Sequence, residues 1–395
     1  MAEEILNNEQ VLRGCILYEF TQGRPVFQSF LHFSRSLDTN SIDYREFEFW
    51  FYRFYHGETD LTYDTSLESK KPTLFEIPVE IIEQIVDELD FRTQLVLRKV
   101  STDLRHIVEK RVPSYKSITL FIEDYGAMLY FDQHEVLYNR SREGCWVRYL
   151  YRGSRFLPGI DPVKQAMIDL KYALSHPKMM LEELKIRVLL SSYREEDGKN
   201  EKELRVQHFQ SIKDTLSSLN KPTINVSKLE MHVKNHEEVL SVLPYLTPGI
   251  LSEIDFHCAN TAKIRLQMAQ IIKLDQWKQA EKLKIDRFFT QFDLKHLAHF
   301  KKFEVSLAKI SIKSLAELKD TLIHCPEFDR CTLETSKPIN VKSIDSNFGQ
   351  EIPQDPPTEM YHYYAVPDSE EIVLEMCVEP KRIRFKKTTR KSMTR

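Results

Sequence analysis

Glycine is scarce in this sequence: ten residues in 395, standing singly at 14, 23, 57, 126, 144, 153, 159, 198, 249 and 349. Average usage is about 7%. Phosphate-cradling loops and strained nucleophile elbows need clustered glycines, so that backbone amides or a sharp turn can reach the substrate. No Walker loop, GxGxxG turn or GxSxG elbow is present. Cysteine is thin too, six residues at 15, 145, 258, 325, 331 and 377 without a CxxC pair. That suits a reducing compartment and leaves no zinc framework. The nearest metal-like spacing, His296-x-x-His299, has no third ligand at a standard interval, and HExxH does not occur. These two histidines read as surface or capping residues.

Long hydrophobic runs are missing as well, none reaching the ~18 apolar residues of a membrane helix. The start, MAEEILNNEQV, is acidic where a secretory signal is basic and then apolar. The expectation is an intracellular chain, cytoplasmic, nuclear or both, with no membrane contact, catalytic residue, metal or cofactor. The sequons at Asn139 and Asn225 are then chance matches.

What is present suffices for large cores: 42% apolar and 11% aromatic residues. The length exceeds one ordinary domain of roughly 100–200 residues, and texture divides the chain into an α+β, multi-domain order. Residues 1–71 carry seven Lys/Arg against twelve Asp/Glu, with an aromatic crowd from Phe47 to Tyr55. Helical spacing runs through Val11, Ile16, Leu17 and Phe20 and through Phe27, Phe30 and Leu31, with Gly23-Arg-Pro25 between them. Residues 1–64 are therefore expected to form a small helical domain and 65–73 a linker. From 74 to 115 three short helices follow, opened by Ile77-Pro78, Asp90 and Ser101. Their core is thin, so the module must dock on a partner or lean on its neighbour.

Residues 116–158 switch to short β-branched and aromatic runs, the pattern of a small antiparallel meander. Asp161-Pro162 then caps a helix. Strands of alternating polarity recur as Leu184–Val188, Leu229–Val233, Ile254–His257, Leu283–Asp286, Phe303–Leu307 and Arg330–Leu333. Amphipathic helices lie between them, one behind the box Ser314-x-x-Glu317. This alternation over 159–335 is the texture of an α/β leucine-rich-repeat-like solenoid, with an open α/β sheet layer as the other arrangement. Tyr193–Glu203 fits an exposed loop. Residues 336–395 mix prolines with polar residues and end in fifteen positions holding eight Lys/Arg; they are expected to be partly disordered, the basic end being solvated or a nuclear-import or nucleic-acid patch.

The run Phe75-Glu-Ile77-Pro78-x-Glu80-Ile81-Ile82-x-x-Ile85-x-x-x-Leu89, followed by Leu97-Arg-Lys-Val100-Ser101-x-x-Leu104-Arg, resembles an F-box, with Ile77 where leucine is commoner. The resemblance implies docking on the small Skp-type adaptor of a cullin-RING ubiquitin ligase, through Ile77, Pro78, Ile81, Ile85, Val100 and Leu104. Three later blocks, Glu237–Gly249, Leu274–Ala280 and Leu322–Thr332, resemble the FTH domain that follows the F-box in the large nematode F-box A family. That implies a non-catalytic adaptor whose FTH domain binds a target protein. Leu12–Phe20 and Phe47–Tyr55 resemble the helix-turn-helix domain of mariner-type transposases, which some members of this family carry.

Duplex DNA is bound mainly by neutralising phosphates, whereas residues 10–63 hold five Lys/Arg (13, 24, 35, 45, 53) against seven Asp/Glu. On charge alone, DNA is not expected as a partner. The reading is a substrate receptor of an SCF-type ligase, partnered by the adaptor, through it a cullin, and an unknown target; a DNA-binding regulator and a non-degradative scaffold are the alternatives. In the repeat strands, period two sends Lys185, Arg187, Glu230, His232, Asp255, His257, Lys284, Asp286, Glu304 and Ser306 to a polar face opposite the core. This face is the expected target-binding surface, with the loops at the strand ends as the other choice.

Overall fold

A computed structural model describes residues 8–37, 42–67, 77–98, 100–149, 153–191, 200–219, 223–258, 267–290, 293–307, 309–336, 338–339, 359–367 and 369–390. Most of the expected linker, the loop segment 193–199, Phe75 and the last five residues lie outside them. The chain divides into two units, 1–82 and 83–395.

In the first unit, α1 (Glu9–Thr21), α2 (Val26–Leu37) and α3 (Tyr44–Tyr55) surround an aromatic core. Asn8 caps α1 by accepting from the amides of Gln10 and Val11, and Gly23, at φ 67°, ends the turn after it. Leu12 and Ile16 from α1 and Phe47, Trp50, Phe51 and Phe54 from α3 are buried together. Their spacings of three and four put them on one side of each helix.

The second unit opens in the middle of α4 (Val79–Asp87), followed by α5 (Phe91–Leu97) and α6 (Thr102–Glu109). Asp90 and Ser101 cap the last two as their positions suggest. Then come five antiparallel strands, β1 (Ser117–Glu123), β2 (Gly126–Phe131), β3 (His134–Ser141), β4 (Gly144–Tyr149) and β5 (Gly153–Pro158), one more than the apolar runs indicate. Gly126 and Gly144 are obligatory: a Cβ on either would lie 1.9 Å from the Tyr138 carbonyl oxygen or 2.1 Å from that of Leu157. Helix α7 (Pro162–Leu174), capped by Asp161, leads to β6 (Met180–Leu189). Helix α8 (Glu201–Ser217) connects β6 to β7 (Asn225–Val233). Further parallel strands are β8 (Glu253–Cys258), β9 (Lys282–Thr290), β10 (Lys302–Leu307) and β11 (Arg330–Thr335). Between the last two runs α9 (Ile312–His324), whose N-cap is Ser311, so Ser314 sits inside the helix and the expected capping box is absent there.

Two expectations are corrected. The 336–395 segment is not disordered over its second half: β12 (Met360–Ala365), β13 (Ile372–Glu379) and β14 (Arg382–Thr389) form an antiparallel wing, and β14 pairs with β11. Its charged side chains alternate with buried Ile383 and Phe385, a period-two pattern that the high charge disguises. Nor do the repeats stand alone as a solenoid. All fourteen strands make one mixed sheet in the order β12-β13-β14-β11-β10-β9-β8-β7-β6-β1-β2-β3-β4-β5. The backbone groups of β6 and β11, which would be bare edges of a repeat stack, are paired by β1 and β14.

The inward positions Leu184, Ile186, Leu229, Met231, Ile254, Phe256, Leu283, Ile285, Phe303 and Val305 are all buried. They share one core with Val163 and Leu170 of α7, Phe209 and Ile212 of α8, and Leu315 and Leu318 of α9. The opposite side of the strands carries the polar residues.

Candidate functional site

Proline at position 78 starts α4, and the Ile81 amide donates to its carbonyl at 3.0 Å. Ile82 and Val86 point inward, while Ile81 and Ile85, one turn apart, are 44% and 48% exposed. Val100, in the turn after α5, is 67% exposed, and Pro78 is open. Ile77 is half-buried. Leu104 differs: it is 1% exposed beside buried Ile107 and Val108 on α6, so it belongs to the module's own core. The sequence reading missed Val96, 55% exposed on α5; its phase, out of step with buried Phe91 and Gln94, is the signal that could have found it.

The second half of the module is fastened to the sheet. Gln94 donates to the carbonyls of Val86 (2.9 Å) and Leu89 (3.1 Å). Phe91 packs edge-on to Tyr115, with centroids 4.4 Å apart, and Arg98 lies 3.7 Å above the Tyr172 ring. Arg111 bridges Glu83 and Asp87 at 3.2 and 3.1 Å. The thin core thus leans on its neighbour while several aliphatic side chains stay in water.

On the polar side of the sheet the registers align Lys185, Glu230, Asp255, Lys284 and Glu304 in one row and Arg187, His232, His257 and Asp286 in the next. The face is less open than alternation alone suggests. Glu230 and Asp255 are only 7% exposed and Ser306 is buried, whereas Lys284 and Glu304 are exposed. Arg187 and Lys185 reach Glu230 at 2.6 and 3.4 Å. Burial works to raise the Glu230 carboxyl, but the Arg187 hydrogen bond and the charges of Lys185 and Arg187 hold it below its ordinary value.

His257 sits 2.9 Å from Asp255 and 3.6 Å from Asp286. Its hydrogen bond to Asp255 raises its pKa against the effect of burial. Burial and the nearby Arg187 and His257 lower that of His232, whose ring lies 5.3 Å from His257. Glu230, Asp255 and His257 could together offer three ligand atoms to a cation, all within 4.8 Å. The cationic side chains already on Glu230 make the cluster self-neutralised, which suits a network bracing adjacent strands. His299, singled out by spacing, hydrogen-bonds the Trp277 carbonyl at 2.9 Å. An open groove of about 570 Å³ between α7 and α8 is lined by Met167, Ile168, Lys171, Gln207 and His208.

In the N-terminal unit several cations serve the fold. Arg13 lies 4.2 Å over the Trp50 ring and donates to the Leu61 carbonyl, and Arg53 is 3.5 Å from the Tyr63 ring. Arg24 and His32 both engage buried Glu19. This leaves still fewer charges for phosphates than the composition implies.

Residues 9–58 match the model of the HTH domain in Mos1 transposase, 74–113 that of the F-box domain and 206–351 that of the FTH domain. The three modules in this order, with an F-box between a helical domain and a large sheet, define an F-box protein. The chain is similar to F-box A protein 224 of Caenorhabditis elegans, 23% identical over 380 residues that cover 95% of both chains. It is also similar to F-box A protein 155 of the same nematode, 22% identical over 349 residues, 84% of this chain and 79% of that one. It belongs to the F-box A family, with a Mos1-like helix-turn-helix domain, an F-box and an FTH domain. Proteins of the F-box family are generally non-catalytic adaptors. No helix among the described residues is long and apolar enough to cross a membrane.

Proposed function

We propose that this protein is the substrate-receptor subunit of an SCF-type cullin-RING ubiquitin ligase: the F-box docks the Skp-type adaptor, and through it a cullin, while the sheet domain recruits a target protein. The observation that carries this reading is the exposure of Ile81, Ile85, Val96 and Val100 on a module whose Val86, Phe91, Leu104, Ile107 and Val108 are buried. Aliphatic side chains held in water on ordered helices are stabilised when a partner covers them. On the sheet, Lys284, Asp286 and Glu304 are the accessible members of the proposed target surface. Lys185 and Arg187 with Glu230, and His257 with Asp255, support it through ion pairs, and the His232 ring lies beside that of His257.

The test is Ile81→Asp in the full chain, read by adaptor binding and by thermal melting. An ion forced into a desolvated interface should weaken adaptor binding by about 3 kcal/mol or more. Because Ile81 is exposed, the melting temperature should hardly move. Unchanged adaptor affinity in a folded variant refutes the docking face. Leu104→Asp, by contrast, should unfold the module.

A further inference from the structure

The outermost polar row of the sheet changes character along its length. From β6 to β9 it reads Glu183, Lys228, Glu253, Lys282 in register, and opposite charges alternate. Lys228 contacts Glu183 at 3.1 Å and Glu253 at 3.3 Å, and Lys282 contacts Glu253 at 3.5 Å. Then the alternation stops: Lys282 stands in register with Lys302, Lys302 with Arg330, and Arg330 with Lys386. Four cations in succession occupy β9, β10, β11 and β14. Like charges opposite one another across strands are destabilising, so this row is held at a cost to the free protein. Lys302 has one acidic neighbour, Asp329 at 3.2 Å. Arg330 and Lys386 are exposed and make no ion pair among the described residues, and the row ends at Glu375 of β13, in register with Lys386. The last member exists only because the basic C-terminal segment folds as β14.

We propose that Lys282, Lys302, Arg330 and Lys386 form a docking ladder for an acidic, extended segment of a protein partner, laid across the strands with carboxylates at every second residue. This rests on the receptor reading above, whose target it describes chemically. The dimensions fit: four strands set about 4.8 Å apart spread the cations over roughly 14 Å, and carboxylates at positions i, i+2 and i+4 of an extended chain span about the same. A duplex nucleic acid fits less well. The adjoining row carries Glu304 beside Lys284, which would repel a second line of phosphates, and the chain's net charge is −3.

The experiment uses the full chain and a short labelled peptide with glutamate at every second position. A glutamine version of that peptide and a single-stranded oligonucleotide of matched charge serve as probes for comparison. The glutamate peptide should bind, weaken as salt rises from about 0.05 M to about 0.3 M, and lose about tenfold or more in affinity when Arg330→Glu and Lys386→Glu are combined, since attraction becomes repulsion at two rungs. The milder pair Arg330→Gln with Lys386→Gln should fall between, with an unchanged melting curve. Equal binding of the glutamine peptide, equal binding by the charge-reversed protein, or tighter binding of the oligonucleotide overturns the ladder. Adaptor binding, measured on the same preparations, separates the two readings. Loss of the ladder with intact adaptor binding removes only this inference, and intact peptide binding without adaptor binding removes only the receptor reading.

Discussion

Glu238→Ala should unfasten the sheet domain at one buried ion pair. Glu238 and Arg205 are both buried, and the guanidinium meets the carboxylate in a forked contact, Nε to Oε1 at 2.7 Å and Nη2 to Oε2 at 2.8 Å. The same arginine donates to the carbonyls of Val188 on β6 and His232 on β7. Glu238 also accepts from the Lys234 amide at 2.7 Å and from the Asn235 side chain. One pair therefore joins the start of α8, the ends of two strands and the turn after β7. Truncating the glutamate leaves a buried guanidinium without its counter-charge and a backbone N–H without its acceptor.

Removing one partner of a buried pair costs about 3–5 kcal/mol, a large share of the ~5–15 kcal/mol that holds a typical fold together. At about 2 °C per kcal/mol for a large domain, the melting temperature should drop by roughly 6–10 °C. Differential scanning fluorimetry and urea denaturation measure both quantities. Glu238→Leu combined with Arg205→Leu should recover much of the loss, because no charge is then left buried. If Glu238→Ala costs under about 1 kcal/mol, or the double replacement is no better than the single one, the pair is not the fastening that its geometry describes.

Two further outcomes follow from the same structure. His257 is raised in the fold, so its protonated form adds stability below about pH 6.5 that is lost as pH rises through its folded value. His232 is lowered, so its neutral form adds stability above about pH 6.5 that is lost on acidification. Melting curves from about pH 5.5 to 8 should therefore show His257→Gln costing most at the acid end. His232→Gln should cost least there, and parallel curves for the two variants would contradict the assignment. For the N-terminal unit, fluorescence anisotropy should find no salt-sensitive binding of residues 1–71 to duplex DNA near physiological ionic strength, since Arg13, Arg24 and Arg53 are engaged within the fold; micromolar binding that falls steeply with salt would reverse that view.

Much of this protein was legible as local pattern. Period two in Leu184–Val188 and Phe303–Leu307 named the buried side of the strands, and Asp90, Ser101 and Asp161 marked helix starts, because alternation and capping depend on neighbours a few residues away. The F-box, FTH and helix-turn-helix blocks were readable for the same reason. What only the tertiary structure decided is everything set by pairing between distant segments. Leu104 is in the core and Val96 outside it because the packing of three short helices, not their apolar content, selects the covered side. Arg13 and Arg53 lie against Trp50 and Tyr63, which no count of charges discloses. The basic end becomes β14 because β11 offers an unpaired row of backbone donors and acceptors, and that pairing puts Lys386 beside Arg330. Strand register fixes which side chains become neighbours across fifty residues or more of chain, and no periodicity within a single strand contains it.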